Sequence, residues 1–294
     1  MSAELDFIAA LRALAGDPAA RGLRDDCAVL PFGGQTLVLT HDTIVAGVHF
    51  LPDMDPADIA WRLVATNISD LAAKGAAPVG VLLAYQLNGA EARFLEGLRA
   101  ALAEYGAPLL GGDTVGMPDG AAQTLGLTAI GRATHTPVPG RDGAALGDIL
   151  YITGPVGGAM IGLEALRGGD NGAASAAYRR PQAQLAAGIA LAPHVGAMMD
   201  VSDGVLLDAA RMATASRVTI AIDSAAVPIA APEPRRAEAL RWGDDYHLLF
   251  TAAPDVVLPV HAHAIGRVIA AGKAPILLDG APLSLGDDLG FAHG

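Results

Sequence analysis

The order of elements legible in this chain predicts an α+β domain with a mixed sheet over residues 1–135, followed by an α/β domain over residues 145–294. Three observations lead there. A length of 294 residues suits one large domain or two ordinary ones. The first half alternates strand-type and helix-type runs in the order strand, helix, strand, helix, strand, which calls for crossover units. Between the halves lies Thr134–Gly147, with Pro137, Pro139 and three glycines, the best linker candidate.

Residues 4–15 predict a short helix, and Thr36–Ala46 a β-rich segment interrupted at His41-Asp42. Asp55 and Pro56 have the chemistry of an N-cap and first helical turn, so a helix should run from there to about Ala73 and stop at Gly75. At 100° per residue, Asn67, Asp70 and Lys74 fall within about 60° of one another, a polar stripe on its last turns, with a surface Asp70–Lys74 ion pair as one use for it. Gly80–Leu87 reads as a strand, Ala90–Tyr105 as a helix, Leu109–Leu110 as a short strand and Thr124–Ala133 as a strand. Beyond the linker, Asp148–Thr153 is a strand and Gly154-Pro155-Val156-Gly157-Gly158 opens a helix to about Leu166. That glycine-rich turn lacks the spacing of a nucleotide-binding loop and reads first as a tight turn. Gly168–Ala177 reads as a flexible excursion. Helices at 181–193 and 203–216 follow, the second with Ser202 as a plausible N-cap, and strands near 218–223, 246–252 and 263–269.

The composition excludes several functions. Apolar residues make up 52%, ample for a core, while the net charge of −12 and the absence of a basic run argue against nucleic acid or anionic membranes as partners. The single cysteine, Cys27, rules out an internal disulfide and a cysteine zinc cage. The first twenty residues do not resemble a signal peptide, and the apolar stretch Ile149–Leu163 contains Gly and Pro and is too short for a bilayer. A cytoplasmic location is the expectation.

Aspartates recur at the edges of apolar runs: Asp25-Asp26, Thr40-His41-Asp42, Asn67-Ile68-Ser69-Asp70, Gly111-Gly112-Asp113-Thr114, Asp200-Val201-Ser202-Asp203-Gly204 and Gly243-Asp244-Asp245-Tyr246. Singly, each suits a cap or a turn. Together, six such places suggest carboxylates that converge in the fold, where only cations could relieve their repulsion. Mg²⁺ takes hard oxygen ligands and is held by a few carboxylates plus substrate phosphates, so metal-dependent phosphoryl transfer is the first expectation. No Ser-His-Asp set and no reactive cysteine stands out. An acceptor that is itself a phosphate would need no general base, because its oxygen is already ionised near neutral pH.

These segments resemble the thiamine-monophosphate kinases, within the superfamily that includes aminoimidazole ribonucleotide synthetase and selenophosphate synthetase. Asp25-Asp26-Cys27-Ala28, the run His41–Phe50, Asn67–Gly75, Gly111–Thr114, Asp200–Asp208 and Gly243–Phe250 are similar to the family's motifs and stand in the same order over nearly the whole length. The run Val45–Phe50 and the late Gly-x-Asp-Tyr at Gly243–Tyr246 are the more particular. Departures occur at Arg24, His41, Lys74, Val115, Asp244 and His247.

The resemblance implies an aminoimidazole ribonucleotide synthetase-like pair of domains, dimerising through the first, and the reaction ATP + thiamine monophosphate → ADP + thiamine diphosphate. It implies several Mg²⁺ ions on Asp26, Thr40, His41, Asp42, Asp70, Asp113, Asp200 and Asp203, with residue 41 acting through its backbone. It implies ATP contacts at Gly112, Asp113, Arg132 and Ser202. It implies thiamine-phosphate contacts at His49, Asp244 and Phe291, the last in Gly290-Phe291-Ala292-His293. An aromatic face is a sensible partner for a cationic thiazolium. Another superfamily enzyme and a non-catalytic nucleotide-binding paralogue are the alternatives, and retention of all six metal-type aspartates argues against the second.

Overall fold

The structure is a computed structural model that describes residues 3–291, so Ala292 and His293 of the C-terminal segment lie outside the described residues. After α1 (Ala3–Arg12) and a 3-10 turn, β1 (Ala28–Phe32), β2 (Gln35–Val45), α2 (Pro56–Ala73), β3 (Ala76–Leu87), α3 (Glu91–Tyr105), β4 (Leu109–Gly116) and β5 (Thr124–Ala133) follow. Their five strands form one sheet in the order β1-β2-β5-β3-β4, antiparallel except for the parallel β3–β4 pair.

The second half contains β6 (Ile149–Ile152), α4 (Gly158–Arg167), α5 (Ala176–Arg179), α6 (Leu185–Leu191), β7 (Met198–Asp200), α7 (Val205–Ser216), β8 (Thr219–Ile222), α8 (Arg236–Ala239), β9 (Leu248–Ala252), β10 (His263–Ile269), β11 (Ile276–Leu278) and β12 (Ala281–Leu283). Its seven-stranded sheet runs β12-β11-β8-β10-β6-β9-β7, with β8–β11 the parallel pair. Both sheets are therefore mixed.

α2 lies between the two halves. Asp55 caps it by accepting from the Ala57 amide at 2.9 Å, and Pro56 stands at its first turn, where a missing N–H is harmless. Sixteen of its eighteen residues are buried, which is how a helix surrounded by protein reads. Leu63, Val64 and Ile68 enter the core of the first sheet, whereas Ala72 and Ala73 pack with Leu191, Met198 and Phe250 of the second half. Such contact requires small residues. A Cβ on Gly97 of α3 would lie 2.0 Å from the carbonyl oxygen of Ala57, so the α2–α3 pair closes only with glycine there. Gly97→Ala is expected to destabilise the fold by about 1–3 kcal/mol, because two backbones must separate to admit the methyl; a thermal midpoint unchanged from wild type would contradict that packing.

Several sequence expectations are corrected. β2 is not interrupted at His41-Asp42 but runs through them, with Val38, Thr40 and Ile44 buried and His41 and Thr43 exposed, as alternate residues of a strand must be. β4 is eight residues long rather than two, because the Gly-Gly-Asp-Thr segment itself pairs with β3. Ser202 does not cap α7; Gly204, at φ 115°, precedes that helix without a side-chain cap. The linker candidate does join the two sheets, but it is packed: Val138 and Gly140 are buried, and Arg21 donates to the Val138 carbonyl at 2.8 Å. The excursion at 168–177 is likewise tied down, with Ser175 buried and Gly172 accepting from Arg179 at 2.9 Å. Lys74 is not on the surface and does not pair with Asp70; it is fully buried against Asp25 and Asp26.

Candidate active site

Carboxylates from four segments meet at the join of the two halves. Single carboxylate oxygens of Asp26, Asp70 and Asp200 lie within 4.8 Å of one another. Asp26 precedes β1, Asp70 stands on the penultimate turn of α2, and Asp200 ends β7, so strand ends and a helix deliver them to one point. Asp42 joins them from β2, on the same side as Thr40. Neutral groups hold most of this set. Thr40 donates its hydroxyl to Asp70, Ser69 donates to Asp200 Oδ2 at 2.5 Å, and the Asp42 amide donates to Asn67 Oδ1 at 3.1 Å. The Asn-Ile-Ser-Asp segment thus supplies three side chains to this cluster, of which the sequence marks Asp70 alone as a site residue.

The electrostatics separate the acids into two kinds. Burial pushes Asp200 up to about 8 and Asp42 up to about 6, each further raised by the charge on Asp26, and burial with the charges of Asp42, Asp200 and Asp26 raises Asp70 well above the ordinary range. For Asp26 burial acts the same way, but Arg141 and Lys74 outweigh it and hold the carboxyl at about 2. Asp208, buried behind Asp203, is raised to about 7 by burial and then by the Asp203 charge, although Arg211 bonds to both.

Asp42, Asp70, Asp200 and Asp203 border a cavity of about 670 Å³. Asp42, Asp70, Asp200, Ser202, Asp203, His49, Asp244 and Phe291 all line it, so eight of the expected site residues share one space. Asp26 and Thr40 lie just behind the wall through their contacts with Asp70. Four expected residues are elsewhere. The His41 ring is exposed and bonds to Thr128 at 2.9 Å. Gly112 and Asp113 are exposed on β4, where a Cβ on Gly112 would meet Leu83 O at 1.9 Å, a structural reason for that glycine. Arg132 is exposed beside a separate pocket of about 300 Å³ with Thr36 and His135.

The loop Gly243–Tyr246 is pressed against Val201-Ser202. The Asp244 amide donates to Ser202 O at 2.8 Å, and a Cβ on Gly243 would sit 2.2 Å from that same oxygen. Asp244 and Tyr246 both take positive φ, 67° and 53°, a cost usually met at sites where geometry is over-determined. Asp244 is fixed by buried Arg62 at 2.6 Å and by the Tyr246 hydroxyl at 3.0 Å. Neither pairing is legible in the sequence: Arg62 lies far from Asp244 along the chain, and nothing local aims the Tyr246 hydroxyl back at it. Asp245 serves a different end, accepting from the amides of Gly157 at 2.6 Å and Ala159 at 3.0 Å. The glycine-rich turn is therefore closed by the protein's own carboxylate, in keeping with a tight turn. Tyr178 and Trp242 also line the cavity and carry no motif signal.

An all-oxygen donor set of converged aspartates fits a hard divalent cation such as Mg²⁺ better than a soft one. Asp42, Asp70 and Asp200 carry that fit; Asp26 already faces cations of the chain, with Lys74 Nζ 2.6 Å from its Oδ2 and Arg141 Nε donating to its Oδ1 at 3.0 Å.

A two-domain protein with acids gathered at the join of two mixed sheets defines a class, and sequence comparison finds it. Residues 24–133 match the AIR synthase related protein N-terminal domain and residues 145–275 the C-terminal domain of the same family. Within that class the chain belongs to the thiamine-monophosphate kinase family. It is 36% identical to the thiamine-monophosphate kinase of Escherichia coli K12, covering 92% of this chain and 91% of that one, and 37% identical to that of Caulobacter vibrioides, covering 86% and 77%. The solved structure of AaThiL complexed with AMPPCP and TMP superposes with a TM-score of 0.85 at 27% identity, over 95% of this chain and 94% of the other. Among the described residues no helix is long and apolar enough to cross a membrane.

Proposed function

We propose that the chain is a thiamine-monophosphate kinase, transferring the γ-phosphoryl group of ATP to thiamine monophosphate to give thiamine diphosphate and ADP. The observation that carries this is the meeting of Asp26, Asp70 and Asp200 beside a cavity that also holds His49, Asp244 and Phe291. Asp26, Asp42, Asp70, Asp200 and Asp203, with Asp113 and the 40–41 backbone, are the candidates to hold Mg²⁺; Gly112, Arg132 and Ser202 are those for ATP. Bound Mg²⁺ would neutralise phosphate charge in an otherwise repulsive acidic site.

The chain's own residues do the positioning. Arg62 and Tyr246 immobilise Asp244, so a cationic ring near it meets a fixed negative charge with aromatic faces alongside. The acceptor phosphate arrives largely ionised, its second pKa lying near 6, so its oxygen attacks without a base.

A homodimer and a cytoplasmic location complete the proposal, as does the division into an N-terminal ATP- and metal-binding dimerisation domain (1–135) and a C-terminal α/β domain (145–294). β4 is exposed along its whole length, and Leu82, Leu110 and Val115 are 39%, 54% and 48% exposed. A second copy on this face would cover that apolar surface and bury the sheet edge.

Purified chain with ATP, Mg²⁺ and thiamine monophosphate is expected to form thiamine diphosphate, with little or no phosphorylation of free thiamine. Efficient phosphorylation of thiamine with none of the monophosphate overturns the proposal.

A further inference from the structure

Among the described residues Lys74 is the one buried lysine, and it is fully buried beside the acidic site. It follows Ala73 at the C-terminal end of α2, where a cation also suits the helix dipole. Its Nζ lies 2.5 Å from Asp25 Oδ1 and 2.6 Å from Asp26 Oδ2, and donates to the Met198 carbonyl at 3.0 Å. The 2.6 Å approach to Asp26 Oδ2 is a close ion pair, and Lys74 is the cation that occupies this oxygen. Arg141 Nε donates to the other oxygen, Asp26 Oδ1, at 3.0 Å, and Arg21 pairs with Asp25. Two carboxylates thus face three cations. Asp42, Asp70 and Asp200 form no ion pair with a lysine or arginine among the described residues.

The acidic site is therefore asymmetric. One side already contains permanent positive charge, and the other contains only hydroxyl and amide partners. Nζ stands 2.6 Å from Asp26 Oδ2, longer than the roughly 2.0–2.1 Å of a Mg²⁺–oxygen bond but close enough to occupy the same face of the oxygen, so the ammonium competes with a divalent ion for its lone pairs.

We propose that Lys74 is a resident monocation that takes the place of one divalent ion on Asp26 Oδ2, so that the wild-type chain binds one metal ion fewer than its carboxylates could accept. The proposal rests on the acidic site being a metal site, as the kinase assignment requires. It makes Lys74 a positioning residue: it holds Asp26 and leaves ion binding to the side formed by Asp42, Asp70 and Asp200.

The test counts Mn²⁺ bound per chain, by the loss of the free-ion paramagnetic resonance signal, without ATP or thiamine monophosphate. Lys74→Met keeps the length of the stem and removes the charge, and Asp25 and Asp26 retain Arg21 and Arg141 as partners. It is expected to bind one Mn²⁺ more than wild type, whereas Lys74→Arg keeps the wild-type count. If Lys74→Met does not fold, Lys74→Gln, which can still donate to Met198, is counted instead. An unchanged count in the neutral variant overturns the proposal, whatever happens to affinity. A wild type that forms thiamine diphosphate yet shows equal counts rejects the role of Lys74 alone; a wild type that binds Mn²⁺ but forms no thiamine diphosphate rejects the kinase assignment alone.

Discussion

Asp70→Ala is expected to reduce thiamine diphosphate formation by about 10²–10³-fold, the loss seen when one preorganised electrostatic partner of a transferring group is removed. The same variant should keep or slightly raise the thermal midpoint measured without Mg²⁺. Asp70 lies late in α2, where a negative charge opposes the helix dipole, and it is half-buried and faces the charges of Asp42, Asp200 and Asp26. Its removal relieves repulsion from three sides and leaves only the Thr40 hydroxyl short of an acceptor, a loss of about 1 kcal/mol. A placement so unfavourable locally is what a functional carboxylate looks like. The ordinary alternative, a surface pair with Lys74, is closed because Lys74 is committed to Asp25 and Asp26. A mutant with wild-type Mg²⁺-dependent turnover would make Asp70 a structural residue.

The sequence exposed the acids because aspartates beside glycine or serine at element ends leave a local trace. It also marked β5 and β10 at their observed limits and the Asp55 cap of α2. It could not show what the acids touch. Arg141 reaches Asp26 across 115 residues and Ser69 reaches Asp200 across 131, and pairings of that kind have no spacing to read. The three-residue strands β7, β11 and β12 were invisible for a related reason: they are too short to show a period and exist through their neighbours. His41 is an intermediate case. Strand alternation alone separates it from Thr40 and Asp42, but only once β2 is known to continue through that position.

The pH dependence of the metal-free protein should run opposite to that of most acid-stabilised folds. Asp42 is raised to about 6, Asp200 to about 8 and Asp70 higher than the ordinary carboxylate range, from a starting value of 3.8. Between 3.8 and these values the folded chain holds protons that the unfolded chain has released. Stability then falls as pH rises, because the folded state must either keep its protons against a rising pH or bear unneutralised charge. Asp26, held at about 2, contributes with the other sign, but its contribution is lost only as pH falls through that value and is constant across the window in question. Asp208 and Asp245, each raised to about 7, add to the fall. Each proton held only by the folded chain changes stability by about 1.4 kcal/mol per pH unit, and each kcal/mol shifts the midpoint of a chain this size by about 2–4 °C. Protein treated with a chelator should therefore melt several degrees lower at pH 8 than at pH 5.5. With saturating Mg²⁺ the slope should shrink, because a cation replaces the protons on Asp42, Asp70 and Asp200 and favours their ionised forms. A chelated protein whose midpoint is level or rises over this range would mean that these carboxylates are not mutually repelling in the fold, and the metal assignment would lose its electrostatic basis.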